Sequence, residues 1–134
     1  MTDRSTESVG VVVSALEAFN AGDTERFLDH IADDVRFWMN GSHQFSGLVE
    51  GKAAFVELVG RVAQGLSEMI TLEVLNMIPA GDWVVIETQG NATTAGGTPY
   101  RNRYCMLWRV RDGKICEFKE YNDSKLVVES FPEP

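Results

Sequence analysis

Apolar residues recur at helical spacing in the first half of the chain and at alternate positions in the second. Val9, Val12, Val13, Leu16 and Phe19 form one stripe and predict an opening helix. Asn20-Ala21-Gly22 stops it, because glycine tolerates the left-handed conformation that ends a helix. Asp23 is placed to cap a second helix carrying Phe27, Leu28 and Ile31, and Asp33-Asp34 end that pattern. Val35 to Met39 reads as a strand, Asn40 to Gly51 as a loop, and a third helix starts near Lys52 with Phe55, Leu58, Val59 and Val62 on one face.

Beyond that helix the period shortens. Ile70 to Ile78 alternates loosely, and Pro79-Ala80-Gly81-Asp82 is a turn signal. Strands follow over Trp83 to Thr94, Tyr100 to Val110 and Ile115 to Asn122. Ala95-Gly96-Gly97-Thr98 joins the first pair, and Arg111-Asp112-Gly113-Lys114 joins the second as a tight hairpin. Asp123 or Ser124 caps a short closing helix with Leu126, Val127 and Phe131. The order predicts an α+β domain over residues 1–134: helices laid against a curled antiparallel meander.

Side chains alternate across a strand, so parity sorts each strand into two faces. In the last strand Cys116, Phe118 and Glu120 share one face, and Glu117, Lys119 and Tyr121 the other. The first set is apolar apart from Glu120. On parity alone Glu120 is either a carboxyl in the interior, where desolvation raises its pKa, or a salt-bridged or exposed group at the strand end. Asn102, Tyr104, Met106 and Trp108 oppose an arginine-bearing set and are expected to face inward. Between Trp83 and Gln89 both faces carry apolar residues, and parity decides nothing.

Composition narrows the partners. Twelve basic against twenty acidic residues give a net charge of −8, which repels nucleic acid and anionic membrane surfaces. The apolar run from Val9 to Leu16 is short, interrupted and preceded by acids, unlike a secretory leader or a membrane span. Cys105 and Cys116 do not have the number or spacing of a disulfide framework. The expected setting is cytoplasmic. His30 and His43 lack metal-ligand spacing and no glycine-rich phosphate loop is present, so no metal and no nucleotide cofactor is expected.

The segment "NRYCMLWRVRDGKICEFKEYNDSKLV" resembles the end of a SnoaL-like protein of the NTF2-like superfamily, which includes polyketide cyclases, ketosteroid isomerase and limonene-epoxide hydrolase. "ALEAFNAGDTERFLDHIADDVRF" resembles the same superfamily's opening, and "FSGLVEGKAAFVELV" its loop into the third helix. The resemblance implies a cone, with a strongly curved sheet wrapped around an apolar cavity and closed by helices. It also implies a homodimer packed through the outer sheet face. It places an acidic residue facing the cavity just before the tyrosine of an "RDYFD"-like motif, here Glu120 before Tyr121.

Matched one by one, the other family positions change identity. The epoxide hydrolase branch's Arg-x-Asp pair falls on Glu87 and Gln89, which implies that Val85, Glu87 and Gln89 face inward. Its first-strand tyrosine and asparagine fall on Phe37 and Met39. The isomerase base falls on Met39, and its helical tyrosine near Ala15. Neither of those two mechanisms is therefore expected.

Glu120 and Glu87 remain as a candidate acid–base pair for isomerisation, cyclisation or hydration of a small apolar or aromatic molecule. Phe37, Met39, Trp83, Gln89, Asn102, Tyr104, Met106 and Phe118 are the candidate ligand contacts, with His43 over the cavity mouth. The alternatives are a binding module without chemistry, or a dimerisation domain with Val84, Ile86 and Leu107 on a buried outer face.

Overall fold

The computed structural model describes residues 3–134. Helix α1 spans Asp3–Asn20 and buries Val12, Ala15 and Leu16, while Val13 is exposed at the stripe's edge. Its first turns dock on the sheet through serines. Gly81 N–H donates to Ser5 Oγ at 2.9 Å, and Ser8 Oγ donates to the Gly81 carbonyl at 2.9 Å. Its last residue, Asn20, acts as one rung of a strand: its side chain donates to the Leu72 carbonyl at 2.9 Å and accepts from Leu72 N–H at 2.8 Å. Helix α2 (Thr24–Asp29) is capped by Asp23 and ends before Ile31. Ile31 instead opens strand β1 (Ile31–Met39), four residues earlier than periodicity indicates, because its side chain is fully buried beneath the sheet's hairpin end.

The loop expected between β1 and α3 contains a short edge strand, β2 (Gly47–Glu50), ahead of α3 (Lys52–Gln64). Strand β3 (Leu66–Ala80) is broken by three register shifts against β4 (Trp83–Thr94), and such bulges bend and twist a sheet. β5 (Pro99–Tyr100), β6 (Arg103–Arg111), β7 (Lys114–Tyr121) and α4 (Ser124–Ser130) complete the chain. The β6–β7 turn carries positive φ at both Asp112 (51°) and Gly113 (75°), as a two-residue hairpin of this twist requires. Asp123 Oδ1 caps α4, accepting from Lys125 and Leu126 N–H.

The sheet order is β2-β1-β7-β6-β4-β3, with β5 on β4. Neighbours are antiparallel except β1 and β7, which run parallel, so the meander is closed by a strand from the N-terminal half. The result is a curved, unclosed sheet with α1 across β3 and β4 and α3 against β1 and β3. No helix among the described residues is long and apolar enough to cross a membrane.

Candidate functional site

Directly paired residues on neighbouring strands project to the same side, so the ladder fixes which side chains share a face. Ile86 pairs with Met106, Met106 with Glu120 and Glu120 with Met39; all four are buried on the inner face. Phe37, Phe118, Trp108 and Val84 form the adjacent inner row. On the outer face Asn76 pairs with Glu87, Glu87 with Cys105 and Cys105 with Tyr121.

Glu120 therefore lies inside and Glu87 outside, and the two do not form a facing pair. Glu87 instead accepts a hydrogen bond from Asn76 Nδ2 at 2.8 Å. Matching family positions puts Val85, Glu87 and Gln89 inward, but the ladder puts Val84, Ile86 and Thr88 there, all with no exposed surface. The two faces of this strand are nearly equal in apolar content, so only its neighbours could orient it. Trp83 and Gln89 move outward with Glu87. Trp83 lies beneath the Arg109 guanidinium (5.7 Å) and the Lys119 ammonium (5.6 Å). Gln89 Nε2 donates to the Gly90 and Asn102 carbonyls. Val84 and Ile86 likewise leave the outer face, where Leu107 remains.

The inner face and the helices enclose a cavity of about 110 Å³. Phe37, Met39, Tyr104, Met106, Phe118 and Glu120 line it. Unforeseen from the sequence, so do Tyr100, Asn122 and the rings of Phe27, Phe45, Phe55 and Phe131. Parity could have found Asn122, two residues beyond Glu120, and Tyr100, in step with Tyr104. The phenylalanines arrive from helices and loops distant in sequence. A second space of about 380 Å³ shares Phe19, Phe27, Phe55, Val59, Met69 and Ile70 with the first. The cavity thus continues as an apolar groove between α1–α2, α3 and the start of β3.

Within these walls Glu120 is the single carboxyl among the described residues. Burial pushes it up to about 7, against the opposing effect of a hydrogen bond from Asn122 Nδ2 to Oε2 at 2.9 Å. Asn122 is itself clamped. Its N–H donates to Asn40 Oδ1 (3.1 Å) and its carbonyl accepts from Asn40 Nδ2 (3.0 Å), tying the end of β7 to the end of β1. Asn122 Oδ1 is buried without a partner.

Asn102 does not line the cavity. It is buried behind it, donating from Nδ2 to the Tyr100 hydroxyl at 3.0 Å. Burial raises both Tyr100 and Tyr104, and the Glu120 charge raises them further, so the two phenols and the carboxyl face one space. His43 sits in the β1–β2 loop outside the cavity wall. Its Nδ1 accepts from Phe45 N–H at 3.1 Å, its Nε2 is buried without a partner, and burial lowers its pKa. No cluster of three His, Cys, Asp or Glu side chains suited to a metal occurs among the described residues.

Comparison with known proteins places this architecture among relatives. The family model described as SnoaL-like domain matches residues 12–118. Nogalonic acid methyl ester cyclase from Streptomyces nogalater is 28% identical over 127 residues, covering 89% of this chain and 92% of that one. An NTF2-like protein of unknown function from Burkholderia pseudomallei superposes with a TM-score of 0.85 at 18% identity, covering 95% and 98%. A putative SnoaL-like polyketide cyclase from Jannaschia sp. CCS1 does so with a TM-score of 0.82 at 17% identity, covering 100% and 97%.

Proposed function

The chain belongs to the SnoaL-like family, and from that premise we propose that it is a cyclase- or isomerase-type enzyme needing no cofactor. In this proposal Glu120 takes and returns a proton on a small apolar or aromatic substrate. The observation that carries this is a lone carboxyl in an apolar cavity, held near 7 by its burial. At neutral pH such a group is populated both as base and as acid, the condition under which one residue serves both steps. The relative named as a cyclase supports the reaction class.

With Glu87 on the other face, a single group carries the proton. As a base, the Glu120 carboxylate removes a C–H proton next to a carbonyl, and the C–H electron pair moves toward the carbonyl oxygen. As an acid, it returns that proton. In isomerisation the proton goes to a second carbon. In cyclisation it goes to the alkoxide left when the new carbanion attacks a second carbonyl. Both sequences end with the enzyme in its starting protonation state. Asn122 suits both states, because its Nδ2 donates to the carboxylate and a flipped amide offers its unpartnered Oδ1 to the carboxylic acid.

The test is incorporation of deuterium from D₂O at the α-carbon of α-tetralone, an enolisable aromatic ketone, followed by mass spectrometry. Wild type should exchange faster than Glu120→Gln by at least about a hundredfold, the lower end of general acid–base contributions. Equal rates would refute the assignment.

We also propose that two copies pair through the outer sheet face. One ladder row there reads Leu48, Trp38, Lys119, Leu107, Val85 and Ile78 across six strands. Ile78 is 60% exposed and Leu48 45%, so the row presents more apolar surface than scattered residues do.

A further inference from the structure

We propose that Tyr100 is the hydrogen-bond donor of the cavity, holding a ligand oxygen opposite Glu120, and that Asn102, Asp123 and Gly90 are the residues that position it. The ligand class is a neutral, flat, largely apolar molecule with a carbonyl oxygen within one ring's reach of the atom that faces Glu120. The part concerning Glu120 rests on the proton-transfer reading above; the part concerning Tyr100 does not.

The Tyr100 ring is almost wholly buried, lines the cavity and is held edge-on by Phe131 at 5.1 Å. Its backbone is pinned by pairing with Ala92. Its oxygen accepts from Asn102 Nδ2 at 3.0 Å. In that bond the amide nitrogen supplies the proton, so the phenol's own proton is left for another partner. No acceptor among the described residues takes that proton, and the remaining neighbour is the cavity. Each bond the oxygen accepts also polarises its O–H and makes it a stronger donor.

The direction of the Asn102 bond is dictated rather than chosen. Asn102 Oδ1 accepts from Asp123 N–H at 3.0 Å, while Nδ2 also reaches the Asp123 carbonyl at 3.2 Å. Flipping the amide would set donor against donor and acceptor against acceptor there, so Nδ2 must face Tyr100. The Asn102 backbone is fixed in turn by Gly90 N–H, which donates to its carbonyl at 2.8 Å. Gly90 serves a second purpose. A Cβ at this position would lie 2.5 Å from Tyr104 Cε2, so the missing side chain is the space in which the Tyr104 ring lies flat over β4. Without that space the Tyr104 ring could not take its place in the cavity wall with Tyr100. Gly90 of β4, Asn102 and the α4 cap Asp123 thus orient one proton.

The experiment compares α-tetralone with tetralin, its analogue without the oxygen, on wild type, Tyr100→Phe and Glu120→Gln. Dissociation constants come from calorimetry, and the infrared carbonyl stretch of bound tetralone reports the hydrogen bond directly. Wild type should bind tetralone more tightly than tetralin, with the carbonyl stretch displaced to lower frequency. Tyr100→Phe should weaken tetralone about tenfold, remove the displacement and leave tetralin unchanged. Glu120→Gln should keep the displacement. Should Tyr100→Phe not fold, ¹³Cζ-tyrosine NMR on wild type decides: the Tyr100 signal must move with tetralone and stay still with tetralin. The proposal is overturned if wild type shows no preference for tetralone, if Tyr100→Phe retains the carbonyl displacement, or if the Tyr100 signal ignores tetralone. A wild type that shows the Tyr100-dependent displacement but exchanges no α-deuterium refutes the Glu120 chemistry alone.

Discussion

Glu120→Gln should stabilise the protein, and by an amount that depends on pH in one direction only. The substitution keeps shape and hydrogen-bonding capacity and removes the ionisation. In the native state burial raises the carboxyl from 4.5 to about 7. Between those two values the folded chain retains a proton that the unfolded chain has already released. The native state then binds more protons, and stability falls as pH rises through this window. Below 4.5 both states are protonated and the effect vanishes; above about 7 both are ionised and the loss is complete. A rise from 4.5 to about 7 corresponds to about 3 kcal/mol, at roughly 1.4 kcal/mol per pH unit. Urea denaturation of wild type and variant, carried out below the lower value and well above the upper one, measures the difference. The variant should match wild type within about 1 kcal/mol in acid and exceed it by about 3 kcal/mol in base. A difference that is the same at both ends would show that the carboxyl titrates normally, and the reasoning from burial to function would fail with it.

Three further outcomes follow from the same geometry. Asn122→Ala removes the one bond that favours the charged form, so the Glu120 midpoint should move above about 7 in a ¹³C-carboxyl titration; a downward move would contradict the assigned bond. Gly90→Ala places a Cβ 2.5 Å from the Tyr104 ring and should cost about 1–3 kcal/mol in chemical denaturation, whereas a neutral result would mean that the ring has room to move. Leu107→Glu, in the outer row, should turn a dimer into a folded monomer in sedimentation, while a charge at the fully buried Ile86 should unfold the domain; an unchanged sedimentation coefficient for Leu107→Glu would exclude this face as the contact.

Much of the fold is legible because its signals are local. The α1 stripe, the Asp23 and Asp123 caps and the Asp112-Gly113 hairpin each depend on a few neighbouring residues whose backbone preferences agree with the final structure. The inner face of β7 is legible for the same reason: Cys116 and Phe118 are apolar while Glu117 and Lys119 are charged, which sets Glu120 on the apolar face; parity leaves open whether it is buried there or exposed at the strand end, and the family resemblance implies that it faces the cavity. In β4 the alternation carries no such contrast. Val84 and Ile86 face Val85 and Trp83 across the strand, and nothing within the segment says which pair is core. Its orientation comes from pairing with β6, whose Tyr104, Met106 and Trp108 are plainly apolar and sit opposite Thr88, Ile86 and Val84.

The sequence by itself determined the order of elements and the presence of one carboxyl on an otherwise apolar strand face, because both follow from short-range periodicity. Only the tertiary structure decided that this carboxyl is alone. Glu87 is on the other side of the sheet, and the polar groups that share the cavity, Tyr100, Tyr104 and Asn122, are brought there by ladder register and by the parallel docking of β1 on β7. The pKa of Glu120 belongs to that second level as well. It is set by burial among rings from α2, α3, the β1–β2 loop and the chain's end, and no local pattern around residue 120 encodes their arrival.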